Sequence, residues 1–159
     1  ISPTKLTPST TAQGVEFTNY HGTTHPSQPN YWSTIAQSTF RGIVDPSTNK
    51  TINGDNGDNS YNLTGAPHIG DSLEAAGLNW AIFSENYPGN ATNCFIGDGF
   101  GTENNRKHNP FVSFDSIYNN PARCGAHVKS FNDWEAAVAA DVFPEYSYIV
   151  PNQVDDAHD

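Results

Sequence analysis

The sequence predicts an α/β domain with a mostly parallel sheet. Three observations carry that prediction. Two amphipathic helical segments are each followed by a short apolar run. Breakers separate the elements, with Gly77 after the first helix and Pro144 after the second. At 159 residues the chain suits one domain, and 19 aromatic side chains give it a core despite a mean hydropathy of −0.60. Abundant Asn, Gly, Ser, Thr and Pro make the domain loop-rich.

In chain order, residues 1–14 are rich in Ser, Thr and Pro and read as a flexible arm. Residues 15–159 then form a single domain, expected to be incomplete. Val15 to Tyr20 reads as a strand. Tyr31 to Thr39 reads as a helix, with Ser27 or Gln28 near its start and Pro29 in its first turn, where a missing N–H costs nothing. Asp55 to Ser60 lies in a long polar loop. An EF-hand needs Gly at the sixth position and Glu at the twelfth, and Ser60 and Ala66 stand there instead. Ile69 to Ala76 reads as a helix stopped by Gly77, and Leu78 to Phe83 as a buried strand. Residues 86–126 read as irregular. Ser130 opens a helix with Asp133 completing a capping box, and Tyr146 to Val150 is a further strand. Strand–helix–strand alternation of this kind favours parallel pairing.

The formal net charge is −10 and the pI about 4.7. That balance argues against nucleic acid and anionic membranes as partners, because both are bound by neutralising phosphates with Lys and Arg. No apolar run is long enough to span a bilayer. Cys94 and Cys124 lack metal-site spacing. They read as one disulfide in a secreted protein, the favoured reading, or as two buried thiols in a cytosolic one. Sequons at Asn49, Asn62 and Asn90 are no more numerous than this composition yields by chance, and they lend modest support to secretion and glycosylation. The chain opens on Ile1 without Met, which suggests processing or truncation.

Three segments have residue types suited to phosphate chemistry. In Thr24-His-Pro-Ser-Gln-Pro-Asn-Tyr31 a hydroxyl sits where a helix begins, and helix N–H groups and the macrodipole favour an anion there. Ser27 could attack a phosphoryl group if a metal or base activates it. His25 could contact phosphate or protonate a leaving group. Read alone, Ser27 is first of all a helix cap, and that is the favoured reading of the isolated segment. In Val150 to Asp159, the residues Asn152, Asp155, Asp156, His158 and Asp159 follow a strand end and suit a divalent ion, or form a solvated acidic tail. In Arg106-Lys-His-Asn-Pro-Phe111, three cationic side chains in a row suit a positive rim or a solvated turn. His21, His68 and His127 are isolated and read as structural.

Together these segments resemble a known family. Thr18 to Tyr31 is similar to the nucleophile-bearing stretch of the phosphoesterase family, which includes fungal acid phosphatases and bacterial phospholipases C. Its Ser-Gln-Pro-Asn core resembles the Thr-x-Pro-Asn of nucleotide pyrophosphatases in the alkaline phosphatase superfamily. Lys107 to Phe111 with Ser113 to Asp115 resembles a second family motif, and Pro151-Asn152 with Asp156 to Asp159 a third. The run from Ile69 to Phe83 is similar to the central βαβ unit. The resemblance implies a three-layer, alkaline-phosphatase-like α/β fold with helices on both faces of the sheet. It also implies hydrolysis of phosphate esters, acid phosphatase-like or phospholipase C-like, through a phosphoserine on Ser27. Under it, His25 assists, Asn30, Lys107, His108 and His158 contact phosphate, and a divalent metal of unspecified identity engages Asn152, Asp155 and Asp156. The substrate would be a small phosphate ester or a phospholipid head group. Family members also carry a Glu-Asn metal pair before the nucleophile and an acidic pair after the Asp-x-His segment. Neither pair is in these 159 residues. The alternative expectation is therefore a non-catalytic secreted structural or interaction protein with no metal, one that self-associates through an open sheet edge or needs a companion chain.

Overall fold

The computed structural model describes residues 19–46, 48–53, 61–97 and 106–156. The arm at 1–14, residues 15–18 of the expected first strand, the acidic loop at 55–60, and His158 with Asp159 lie outside the described residues.

The domain is mixed α/β around a three-stranded parallel sheet of order β4-β3-β5. The strands are β3 (Trp80–Ser84), β4 (Val128–Ser130) and β5 (Tyr146–Val150). Every residue of β3 is buried, as expected of a central parallel strand with no polar alternation. In register, Ile82 opposes Val128 on one side and Tyr148 on the other. The helices are α1 (Ser27–Ala36), α2 (Ile69–Ala75), α3 (Asp115–Tyr118), α4 (Pro121–His127) and α5 (Phe131–Ala140). A small antiparallel ribbon pairs β1 (Val44–Asp45) with β2 (Lys50–Thr51). The core is aromatic. Trp80 stacks on His127 at 4.2 Å and on Phe111 at 4.5 Å, with Trp32 and Phe114 fully buried nearby.

Several element boundaries differ from expectation. Helix α1 begins at Ser27 and ends at Ala36 rather than spanning Tyr31 to Thr39. Gln37 and Phe40 take positive φ, which turns the chain so that the Phe40 ring meets Trp32 and Phe114 edge-on. After α2, Gly77 adopts φ +72 and Leu78 N–H returns to Leu73 O, so the strand starts at Trp80 and not at Leu78. Residues 86–126 are not uniformly irregular. They contain 3-10 turns at Arg106–His108 and Pro110–Ser113, then α3 and α4. The start of α4 has standard chemistry, with the Asn120 side chain accepting from Arg123 N and Pro121 in the first turn. The expected capping box of α5 is present: Ser130 accepts from Asp133 N, and Asp133 accepts from Ser130 N.

Cys94 and Cys124 form a disulfide, with Cα atoms 5.6 Å apart across a separation of 30 residues. It ties the loop after β3 to α4.

Candidate active site

Helical spacing divides α1 into two faces. Gln28, Trp32 and Ile35 are buried against the core. Ser27, Asn30, Tyr31 and Thr34 recur at i, i+3, i+4 and i+7 on another face. The cap position belongs to Pro26, and no side chain caps this end. Ser27 is therefore not the N-cap. It is the first helical residue, partly exposed, and its hydroxyl has no hydrogen-bond partner among the described residues. An uncapped N-terminus with a hydroxyl beside it suits an anion.

Asn30 shapes the turn before Ser27. Its Oδ1 accepts from Thr24 N at 2.9 Å and Thr23 Oγ1 at 3.0 Å. Its Nδ2 donates to Thr24 O at 2.8 Å and Pro26 O at 2.9 Å. These four bonds use the whole capacity of the amide, so a phosphate contact would require exchanging one of them. Arg41, which sequence reasoning missed, reaches the same turn. Its Nη1 donates to Thr24 Oγ1 at 2.7 Å and His25 O at 2.9 Å. The guanidinium is thus held two residues from Ser27 along the chain, beside the exposed His25. Nothing in the sequence between residues 31 and 41 signals that return.

The three chemistry-bearing segments meet at His108. The Tyr31 ring stacks on it with centroids 4.9 Å apart, and its Nδ1 lies 3.4 Å from Asp156 Oδ2. Lys107 is half-buried beside them in sequence. The expected run of three rim cations does not form as such. Arg106 is buried and donates to Val112 O at 3.0 Å and Asn62 Oδ1 at 3.3 Å, because the 3-10 turn directs it inward.

Of the expected metal ligands, Asn152 is buried and organises its own loop. Its Oδ1 accepts from Val154 N and Asp155 N, and its Nδ2 donates to Asn86 Oδ1. Asp155 is exposed, and Asp156 faces His108. Among the described residues no group of three or more His, Cys, Asp or Glu side chains converges as metal ligands do. Among the described residues Asn152, Asp155 and Asp156 do not form such a group.

The isolated histidines are structural in two cases. His68 caps α2: its Nδ1 accepts from Gly70 N at 3.0 Å, and its Nε2 lies 3.2 Å from Ser116 Oγ. Burial outweighs the nearby Asp71 and lowers its pKa to about 4. Arg123 bridges Asp71 at 2.6 Å and Glu74 at 2.9 Å, and His127 Nδ1 lies 2.7 Å from Trp80 O. Burial raises the Asp71 and Glu74 carboxyls, but hydrogen bonds from His68 N and Arg123 to Asp71, and from Trp80 and Arg123 to Glu74, leave both below the usual range. His21 is exposed and pairs with Asn19. Among the sequons, Asn49 and Asn90 are exposed, whereas Asn62 is half-buried and accepts from Arg106.

The parallel α/β domain thus sets Ser27 at an uncapped helix N-terminus and joins the same helix, through Tyr31, to His108 and from there to Asp156. The chain belongs to the phosphoesterase family, whose model matches residues 7–159. It is similar to a probable acid phosphatase of Kluyveromyces lactis, 32% identical over 150 residues, covering 92% of this chain and 32% of that protein. It is also similar to an acid phosphatase of Aspergillus fumigatus, 30% identical over 93% of this chain and 31% of that protein. A phosphatidylinositol-3-phosphatase of Mycobacterium tuberculosis is 28% identical over 95% of this chain and 43% of that protein. The chain thus spans about a third of the length of the first two relatives. No solved structure matches it. No helix among the described residues is long and apolar enough to cross a membrane.

Proposed function

We propose that this chain carries the phosphoryl-accepting half of a phosphate ester hydrolase of the acid phosphatase type. The observation that carries the reading is the contact of Tyr31 with His108 and of His108 with Asp156, four residues along α1 from Ser27. The named activities of the relatives support it.

In this reading Ser27 Oγ attacks the phosphorus of a small phosphate ester or a phospholipid head group. A P–O bond to Ser27 forms and the ester P–O bond breaks. The Ser27 hydroxyl proton passes to water as its bond to phosphorus forms, the departing alcohol takes a proton from His25, and His25 regains one from water. Water then cleaves the phosphoserine, restoring the hydroxyl and releasing inorganic phosphate. The N-terminus of α1 and Arg41 hold the phosphoryl oxygens, with Lys107, His108 and His158 as further contacts. Asn30 keeps the turn in shape. A bound divalent ion would lower the hydroxyl pKa of Ser27. The described donors do not by themselves supply its ligand set.

The proposal extends to a three-layer arrangement of the whole protein and to action outside the cell, consistent with the disulfide and the exposed Asn49 and Asn90. The test is hydrolysis of a chromogenic phosphate ester by the intact protein. Ser27→Ala should abolish turnover by at least about a thousandfold without altering the fold, because its hydroxyl supports no described contact. Full activity in that variant would sink the mechanism. A non-catalytic structural or interaction protein would instead show neither phosphate binding at Ser27 nor turnover.

A further inference from the structure

Helix α5 packs on the face of the sheet opposite α1. Side chains along β5 alternate between the two faces. Tyr148, whose hydroxyl lies 3.1 Å from Thr34 Oγ1 of α1, and Ile149 therefore point to opposite sides. Ile149 stands in register with Phe83 of β3, and the Phe83 ring meets Trp134 of α5 with centroids 5.2 Å apart. Trp134 in turn meets Phe143 at 5.2 Å. Despite these ring contacts, no residue of α5 is buried.

The uncovered part of α5 has the composition of a buried helix. A surface helix ordinarily carries polar side chains on its outer face. From Ala136 to Ala140 this one carries none, and Ala136, Val138, Ala139 and Ala140 are exposed. Val138 is 52% exposed, Val142 68%, Phe143 44% and Ile149 45%. Val138 follows Trp134 by one turn, Val142 N–H returns to Ala137 O, and Phe143 touches Trp134. These side chains thus form one apolar surface, of the kind that marks an interaction site. Its border has a single sign of charge. The run from Phe131 to Glu145 holds Asp133, Glu135, Asp141 and Glu145 and no Lys or Arg.

We propose that this surface docks a basic amphipathic helix of a separate partner protein. The partner's apolar stripe lies on Val138, Val142 and Phe143, where the alanines of α5 let a second helix approach closely. Its Lys and Arg side chains flank that stripe and meet the carboxylates of the border, which steer the encounter and set the sign of the partner. The same border disfavours other occupants. A second copy of this chain, with a net charge of −10, would bring its own carboxylates against these. An anionic lipid surface is repelled for the same reason. Because α5 and α1 lie on opposite faces of the sheet, the proposal does not depend on the reading of Ser27.

The experiment titrates fluorescently labelled helical peptides of about five turns with the folded 159-residue chain and reads anisotropy. One peptide has a Leu stripe flanked by Lys, the second the same stripe flanked by Glu, and the third Lys flanks with Ala in place of Leu. The Leu–Lys peptide should bind at least about tenfold more tightly than either of the others. Val142→Asp separates two effects, because it removes apolar contact while adding a negative charge. Docking on this surface predicts that affinity for the Leu–Lys peptide falls about tenfold, whereas general attraction to an acidic protein predicts that it rises. Glu135→Lys, at an exposed position outside the apolar surface, should weaken the same peptide about threefold or more. Unchanged or higher affinity in either folded variant overturns the proposal, as does equal binding of the Lys-flanked and Glu-flanked peptides or no binding of the Leu–Lys peptide. Self-association in sedimentation that Val142→Asp abolishes would assign the surface to a second copy and overturn it as well.

Discussion

Acidification should destabilise this fold through His68. The imidazole is buried at the N-terminus of α2, faced by Asp71 and Glu74 of α2, by Arg123 and His127 of α4 and by Ser116 of α3. Its Nδ1 accepts a backbone N–H, so the folded state holds the neutral ring. The pKa falls from 6.5 in the unfolded chain to about 4 in the folded one. At pH 7 both states are mostly neutral and the group contributes little. Between pH 6.5 and 4 the unfolded chain takes up a proton that the folded chain refuses, and stability falls. At pH 4.5 the loss is about 2–3 kcal/mol, at about 1.36 kcal/mol per pH unit. For a domain of this size that lowers the melting temperature by roughly 5–10 °C. Asp71 and Glu74 act in the same direction but at lower pH. Their carboxyls are held below the usual range, so their contribution is present above it and is lost only as pH falls through the depressed values. Their loss begins only near the ordinary values of 3.8 for Asp71 and 4.5 for Glu74, so a comparison of pH 7 with pH 4.5 reads mainly the histidine. The assay is urea unfolding of the native chain and of His68→Asn at both pH values. Asn keeps an acceptor for Gly70 N and does not titrate. The variant starts lower at pH 7, because it loses edge contacts with Trp80, Phe111 and Phe114. Its further loss on acidification should be smaller than that of the native chain by about 2–3 kcal/mol. Equal losses in the two proteins would refute the reasoning.

Three further outcomes follow from named contacts. Arg41→Ala should weaken binding of inorganic phosphate about tenfold in calorimetry while the thermal midpoint stays unchanged, since the side chain is exposed; unaltered affinity would confine Arg41 to bracing the turn. Replacing both Cys94 and Cys124 by Ser should lower unfolding free energy by about 3–4 kcal/mol, the entropy of a loop closed across 30 residues. Gly125→Ala should cost more than about 2 kcal/mol, because its Cβ would fall on the carbonyl oxygen of Ala91, a backbone atom that cannot rotate away; a native-like urea midpoint would show that the loop yields.

Much of the frame was legible in order along the chain. The capping box Ser130–Asp133, the strand Tyr146–Val150 and the glycine stop at Gly77 are local signals, set by residues within a few positions of one another. The helices of residues 115–127 were harder to read. They are four and seven residues long, too short for a hydrophobic period, although Asn120-Pro121 marks the start of one. Helix α1 began earlier than its apolar pattern suggested because Gln28 and Pro29 are buried, a preference that neither residue type announces.

By itself the sequence determined the α/β class, the parallel strands, the family and the position of Ser27 at a helix start. Those properties rest on local periodicity, breakers and ordered motifs. The tertiary structure decided what each candidate side chain touches. It made Pro26, not Ser27, the cap of α1, turned Arg106 inward, closed the Asn30 amide on its own loop and brought Arg41 to the turn. It also joined Tyr31, His108 and Asp156, which lie far apart in the chain. Such contacts depend on the packing of whole elements against one core, and a pattern confined to neighbouring residues does not encode them.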